Sequence, residues 1–198
     1  MKISFSTLAC PDYEWSDIYS MAKDLGFDGI EIRGLGDDIF AVKARPFTEG
    51  QISKTVKKLS EIGIEIPCLS SGCCLKDKNN LDEVISEISS YINLAVKLKT
   101  PFIRILGDRE PMPVDEVDDS YVAEVLVKLA DIAKDKVVTL LVETNGVYAD
   151  TKRLKALLDK VDRIEVAALW DMHHPYRYAN ENPDETVENL GAYIKYCH

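Results

Sequence analysis

Two rhythms of apolar and polar residues alternate along this chain. "KISFSTLA" (2–9) alternates apolar with small polar residues, the period-two pattern of a strand. "EWSDIYSMAKDLG" (14–26) changes to helical spacing and ends at a glycine, a common helix stop. "GIEIRG" (29–34) reads as a strand, "GQISKTVKKLSEIG" (50–63) as a helix closed by glycine, and "EIPCLSSG" (65–72) as a strand. Between 81 and 98 the apolar residues Leu81, Val84, Ile85, Ile88, Ile92, Ala95 and Leu98 fall on one helical face, and Asn80 with Glu83 has capping-box spacing. "PFIRILG" (101–107) is a strand, and Val122, Val125, Leu126, Leu129 and Ala133 mark the next amphipathic helix. "TLLVETNG" (139–146), "DTKRLKALLDKV" (150–161) and "EVAALWDMHH" (165–174) continue as strand, helix and strand. A short helix near 184–192 leads into "AYIKYCH", the start of a seventh strand.

Near-continuous apolar strands separated by helices imply a parallel sheet buried on both faces. A doubly wound sheet and a (β/α)8 barrel both fit, and the strand ends favour the barrel. Polar residues gather at several of them: Glu31 and Arg33, Ser70 and Ser71, Arg104, Glu143 and Asn145, Asp171 and His174. A barrel recruits its site from many strand ends, whereas a doubly wound sheet concentrates it at one crevice. The sequence has no G-x-G-x-x-G and no Walker motif, and "GLGDD" (34–38) reads as a simple turn. The expected fold class is therefore α/β, a (β/α)8 TIM barrel. A TIM barrel takes about 250 residues, and 198 residues supply about six and a half βα units. The expectation is one domain over 1–198 that is incomplete at its C-terminus and lacks strand eight.

Composition narrows the partners. With 46% apolar and 29% charged residues the chain has the make-up of an ordinary globular protein. A net charge of −10 opposes a nucleic-acid partner, which needs a positive footprint. Apolar runs fall far short of the roughly 18 residues of a membrane span, and the N-terminal run is too short for a signal peptide. No membrane partner and a cytoplasmic location are expected. The five cysteines (10, 68, 73, 74 and 197) lack C-x-x-C spacing and read as thiols in a reducing compartment. "DEVDDS" (115–120) reads as a solvated helix start and "KTVKKLSE" as a solvated helix face.

Candidate chemistry sits late in the chain. Strand alternation puts Thr139, Leu141 and Glu143 on one face, and likewise Leu169 and Asp171. Inward-facing carboxylates must share a cation, a proton or a basic group. Two readings stand: a divalent metal bound with an imidazole, or ion pairs with Arg104 and Arg33. Two of the three histidines, His173 and His174, follow Asp171 closely. His174 is placed to turn into the same site, and His173 reads as structural. Trp170 and Tyr176 are either an apolar wall for a sugar ring or core.

"AKDLGFDGIEIRG", "FIRILG", "LLVETNG", "LWDMHHPYR…ENPDET" and "YIKYCH" together resemble the xylose-isomerase-like TIM-barrel superfamily. Sugar isomerases and epimerases, hydroxypyruvate isomerase, inosose dehydratase and endonuclease IV belong to it. The resemblance runs through essentially the whole chain, and the D-x-x-H element after strand six is its most specific part. It implies one divalent ion (manganese, magnesium, cobalt or zinc) held by Glu143, Asp171 and His198. It implies a catalytic role for Glu143 in proton transfer, substrate contact by His174, and Glu31 and Arg104 near the substrate. The family's fourth ligand, a Glu on strand eight, has no counterpart in these residues, and Ala149 stands where ketose 3-epimerases tend to carry a further Glu. The implied function is metal-dependent isomerisation or epimerisation of a small sugar or polyol. An endonuclease-IV-like phosphodiesterase fits poorly with three histidines and a charge of −10. The non-enzymatic alternative is an inactive fragment, or a binding or oligomerisation remnant. In it a homodimer would cover the open barrel edge.

Overall fold

The computed structural model describes residues 1–114 and 116–198. Its strands are β1 (Ser4–Ser6), β2 (Gly29–Glu31), β3 (Cys68–Cys74), β4 (Phe102–Leu106), β5 (Thr139–Glu143), β6 (Val166–Trp170) and β7 (Ile194–Cys197). Its α-helices are α1 (Trp15–Asp24), α2 (Ile52–Ile62), α3 (Leu81–Leu98), α4 (Asp119–Ala133), α5 (Thr151–Val161), α6 (His173–Tyr178) and α7 (Pro183–Leu190). Hydrogen bonding orders the strands β1-β2 and β3-β4-β5-β6-β7. Chain order and sheet order coincide. A doubly wound sheet must reverse its order at a switch point, and no reversal occurs here.

The chain packs as two compact units, Met1–Gly72 with Ser90–Ile103 and Lys136–Val138, and Cys73–Ser89 with Arg104–Asp135 and Thr139–His198. In the first, β1 and β2 pair in parallel from Ser4↔Gly29 to Ser6↔Glu31. A single bridge, Ile32↔Leu69, carries the pairing on to β3. That strand begins later than the sequence pattern predicts. Pro67 has no N–H to give a ladder, so Glu65 makes only an isolated bridge to Gly29. Helix α2 stops at Gly63, whose φ of +72° is the left-handed conformation that glycine adopts without penalty. "GLGDD" is a tight turn closed by hydrogen bonds between Leu35 and Asp38.

In the second unit β5 and β6 pair in parallel from Leu140↔Val166 to Glu143↔Leu169. Leu140, Leu141, Val142, Ala168 and Leu169 are completely buried, as strands covered on both faces must be. Each such leucine or valine contributes about 1.5–3 kcal/mol of burial. Helices α4 and α5 turn Val122, Leu126, Leu129, Leu154 and Leu158 inward. Side chains fix the helix starts. Asp118 accepts from the N–H groups of Ser120 and Tyr121, Asp150 accepts from that of Arg153, and Asn182 with Glu185 forms a reciprocal capping box. The acidic run is thus a helix start, with residue 115 outside the described residues.

The strand expected over 165–174 ends at Trp170, and 173–178 forms α6 instead. Asp171 causes the change, because its Oδ1 accepts from the backbone N–H of His173 at 2.8 Å and of His174 at 3.2 Å. An aspartate bonding two and three residues ahead offers the backbone a turn in place of a ladder. All five cysteines are free thiols. Among the described residues no helix is long and apolar enough to cross a membrane.

Candidate metal centre

Sheet register gathers the site at the C-terminal ends of β5, β6 and β7. Glu143 ends β5 opposite Leu169, and Asp171 lies two residues beyond Leu169, so alternation returns it to the same face. The register of β7 shifts between Ala168↔Ile194 and Leu169↔Tyr196, which leaves Lys195 as the extra residue of a bulge. A straight register would set Cys197 level with Asp171. The bulge sets His198 there, held by its N–H to the Trp170 carbonyl (2.9 Å) and by the Met172 N–H to its own carbonyl (3.1 Å).

Glu143, Asp171 and His198 each offer a ligand atom, and these atoms lie within 4.8 Å of one another. Ligands at about 2.1 Å from an ion stand at most about 4.2 Å apart, so only a small inward movement would close the set. Two carboxylates and an imidazole form a donor set for manganese, magnesium, cobalt or zinc.

Glu143 is buried, 3% exposed. Its Oε1 lies 3.1 Å from His198 Nδ1 and its Oε2 lies 2.9 Å from Arg104 Nε. The arginine contact is an ion pair rather than an aligned hydrogen bond. Burial pushes the Glu143 pKa up, but the His198 hydrogen bond and the charges of Arg104, His198 and His174 outweigh it. Together they hold the carboxyl below its ordinary range. Asp171 divides its oxygens. Oδ1 caps α6, while Oδ2 faces His174 Nε2 at 3.8 Å.

His174 Nδ1 lies 3.1 Å from the Thr144 carbonyl oxygen. A carbonyl only accepts, so Nδ1 carries a hydrogen, and in the neutral form of the ring the lone pair lies at Nε2. His173 is exposed and stacks edge-on against Tyr178, outside this cluster. Tyr176 is 65% exposed and therefore not core, and the Trp170 indole N–H is buried with no hydrogen-bond partner among the described residues.

The structure thus brings Glu143, Asp171 and His198 together, with His174 beside Asp171 and Arg104 against Glu143. Glu31 lies in the first unit, buried, and accepts a 2.7 Å hydrogen bond from the Ser70 hydroxyl. The pattern of the sequence missed Thr144. Its hydroxyl accepts from the Asp171 N–H at 2.9 Å and donates to the Asp171 carbonyl at 3.1 Å. Nothing in the residue type of Thr144 marked it: it is one polar residue in the run Glu143–Asn145 that follows the apolar part of β5. Asn145, which the sequence pattern places at the end of β5, donates through its side-chain amide to the carbonyls of Asp108 (2.8 Å) and Glu110 (2.9 Å) and ties the segment after β4 to the end of β5.

Residues 20–198 match the family described as xylose isomerase-like TIM barrel. No curated protein sequence matches the chain. Among solved structures, the probable 3-DHS dehydratase AsbF from Bacillus anthracis, involved in petrobactin synthesis, aligns with a TM-score of 0.84 and 19% identity, covering 100% of this chain and 72% of that one. D-psicose 3-epimerase from Clostridium cellulolyticum H10, solved with D-tagatose, aligns with a TM-score of 0.80 and 16% identity, covering 100% and 72%. A xylose isomerase-like TIM barrel protein from Mycobacterium smegmatis in complex with magnesium aligns with a TM-score of 0.77 and 16% identity, covering 100% and 74%. At these identities the likeness establishes the fold, an α/β TIM barrel.

Proposed function

The chain belongs to the xylose isomerase-like TIM barrel family, and from that premise we propose that it is a divalent-metal-dependent isomerase or epimerase of a small sugar or polyol. The observation that carries this reading is the convergence of Glu143, Asp171 and His198 within 4.8 Å at three successive strand ends. The family membership and the fold shared with a sugar epimerase and a dehydratase support the substrate class.

A divalent ion held by these three side chains would polarise a carbonyl or hydroxyl oxygen of the substrate and acidify the neighbouring C–H. The protein's own groups supply the rest. Glu143, kept ionised beside Arg104, accepts the proton from that carbon. His174, with Nδ1–H tied to the Thr144 carbonyl, offers Nε2 to a substrate hydroxyl as an acceptor and fixes its orientation. The Arg104 ion pair keeps the Glu143 carboxylate in one pose, which limits the directions from which it can take a proton. Return of the proton by Glu143 to the adjacent carbon isomerises the substrate, and delivery of a proton from solvent or a second acid to the opposite face of the original carbon epimerises it. Loss of a β-hydroxyl after the same abstraction gives dehydration, a branch that the fold shared with a probable dehydratase brings into the assay.

The test is proton exchange at carbon. The protein is incubated with manganese in heavy water against a panel of aldoses, ketoses, polyols and hydroxylated ring acids, and deuterium incorporation is followed by NMR. The expected result is manganese-dependent exchange at the carbon next to a carbonyl in at least one compound, lost in Glu143→Gln. Exchange that persists undiminished in Glu143→Gln would contradict the assignment of the base.

A further inference from the structure

We infer that Thr144 is the positioning residue of this centre: its hydroxyl takes over a rung of the sheet, and its own carbonyl is thereby released to hold the His174 imidazole. Between β5 and β6 the Leu140 N–H donates to the Glu165 carbonyl at 2.7 Å and the Thr144 N–H to the Leu169 carbonyl at 3.0 Å. A parallel ladder continues by donating back two residues further on. The next rung is therefore the Asp171 N–H to the Thr144 carbonyl. That bond is replaced. The Asp171 N–H goes to Thr144 Oγ1 at 2.9 Å, and Oγ1–H goes to the Asp171 carbonyl at 3.1 Å. The Thr144 carbonyl accepts from His174 Nδ1 instead.

One hydroxyl has one hydrogen to donate and lone pairs to accept with, and here it uses both functions on a single residue. Thr144 is completely buried, so water does not compete for either bond. The backbone of Asp171 is held off the strand by the reach of a side chain. From there Oδ1 can turn back to cap α6 while Oδ2 stays on the side of His174. Thr144 therefore sets two things at once: the pose of the Asp171 carboxylate and the tautomer of His174. It touches neither substrate nor ion. It acts through both of those side chains.

The test compares Thr144→Val, which keeps the shape and removes both hydroxyl bonds, with Thr144→Ser, which restores them. One arm is manganese affinity by calorimetry, and it rests on the metal reading given above. The other arm is the His174 tautomer in the metal-free protein, from long-range nitrogen–proton NMR with the ring neutral, and it does not. Wild type and Thr144→Ser are expected to show the Nδ1–H tautomer and matching affinity. Thr144→Val is expected to bind manganese about 10–100-fold more weakly, as loss of a ligand-orienting partner does. Its His174 should move to a mixed or Nε2–H tautomer, because the Asp171 N–H then competes for the carbonyl of residue 144. Thr144→Ala is read in the same way if Thr144→Val does not fold. Should wild type bind no manganese, the metal reading fails and the tautomer arm decides alone. Retention of the Nδ1–H tautomer in the hydroxyl-free variant, with affinity unchanged wherever wild type binds, would overturn the inference.

Discussion

Replacing Glu143 by glutamine in the metal-free protein should destabilise it by about 3 kcal/mol. Glu143 and Arg104 meet at 2.9 Å with side chains 4% and 7% exposed, so their charges are screened by protein rather than water. Removing one partner of a buried pair costs about 3–5 kcal/mol, because the other charge stays behind. The lower end applies here. The amide oxygen can still accept from His198, the carboxylate's own desolvation cost disappears, and Arg104 keeps further contacts. With a urea m-value of about 2 kcal/mol per molar, the unfolding midpoint should drop by about 1.5 M at neutral pH. The pH dependence has a definite sign. The folded pKa of Glu143 lies below its ordinary value, so its stabilisation is complete above the unfolded pKa of about 4.3 and is lost as pH falls through the folded pKa. The gap between wild type and Glu143→Gln should therefore shrink below about pH 4. Chemical denaturation followed by circular dichroism, with chelator present, measures both quantities. A midpoint within about 0.3 M of wild type at neutral pH, or a gap unchanged in acid, would refute the buried ion pair as the source.

Three further outcomes follow from particular residues. Gly146 has a φ of +57°, and a Cβ built there would lie 2.4 Å from Asp108 Oδ2. Gly146→Ala should cost at least about 1–2 kcal/mol from the left-handed backbone alone, and an unchanged melting temperature would show that the turn can relax. Asp171→Ala should lose both the ion and the bonds that start α6, whereas Asp171→Asn should lose only the ion. The two should differ by about 1 kcal/mol in unfolding free energy, and equal stabilities would mean the Oδ1 bonds contribute nothing. The substrate-carbon exchange described above should stop in Asp171→Asn and return with none of the tested metals, which heavy-water NMR can check directly.

Much of this fold is legible from its pattern because β2, β4, β5 and β6 bury both faces and the longer helices bury one. Helix α3 spans 81–98 as its apolar periodicity predicts. The strand ends are less legible, since hydrogen bonding by single residues decides them. Pro67 delays β3, and the side chain of Asp171 ends β6 and starts α6 where an apolar run alone would continue as strand. At the site, period two suffices to put Glu143 and Asp171 on one face. It does not predict His198, because a bulge at Lys195 moves β7 by one residue and no residue type marks that shift. Nor does it choose between a metal and an arginine as the partner of Glu143. In the metal-free chain the arginine is there, at 2.9 Å. Thr144 is invisible to pattern because a buried threonine at a strand end has many bland uses. Only the direction of its two hydrogen bonds singles it out.

The most direct test of the central claim is the metal content of the purified protein after incubation with manganese and removal of excess, measured by mass spectrometry beside Asp171→Asn. One manganese per chain is expected in wild type and none in Asp171→Asn, a variant that keeps the acceptor for α6. Wild type without metal, or a variant that retains it, would contradict the claim that Glu143, Asp171 and His198 form the centre.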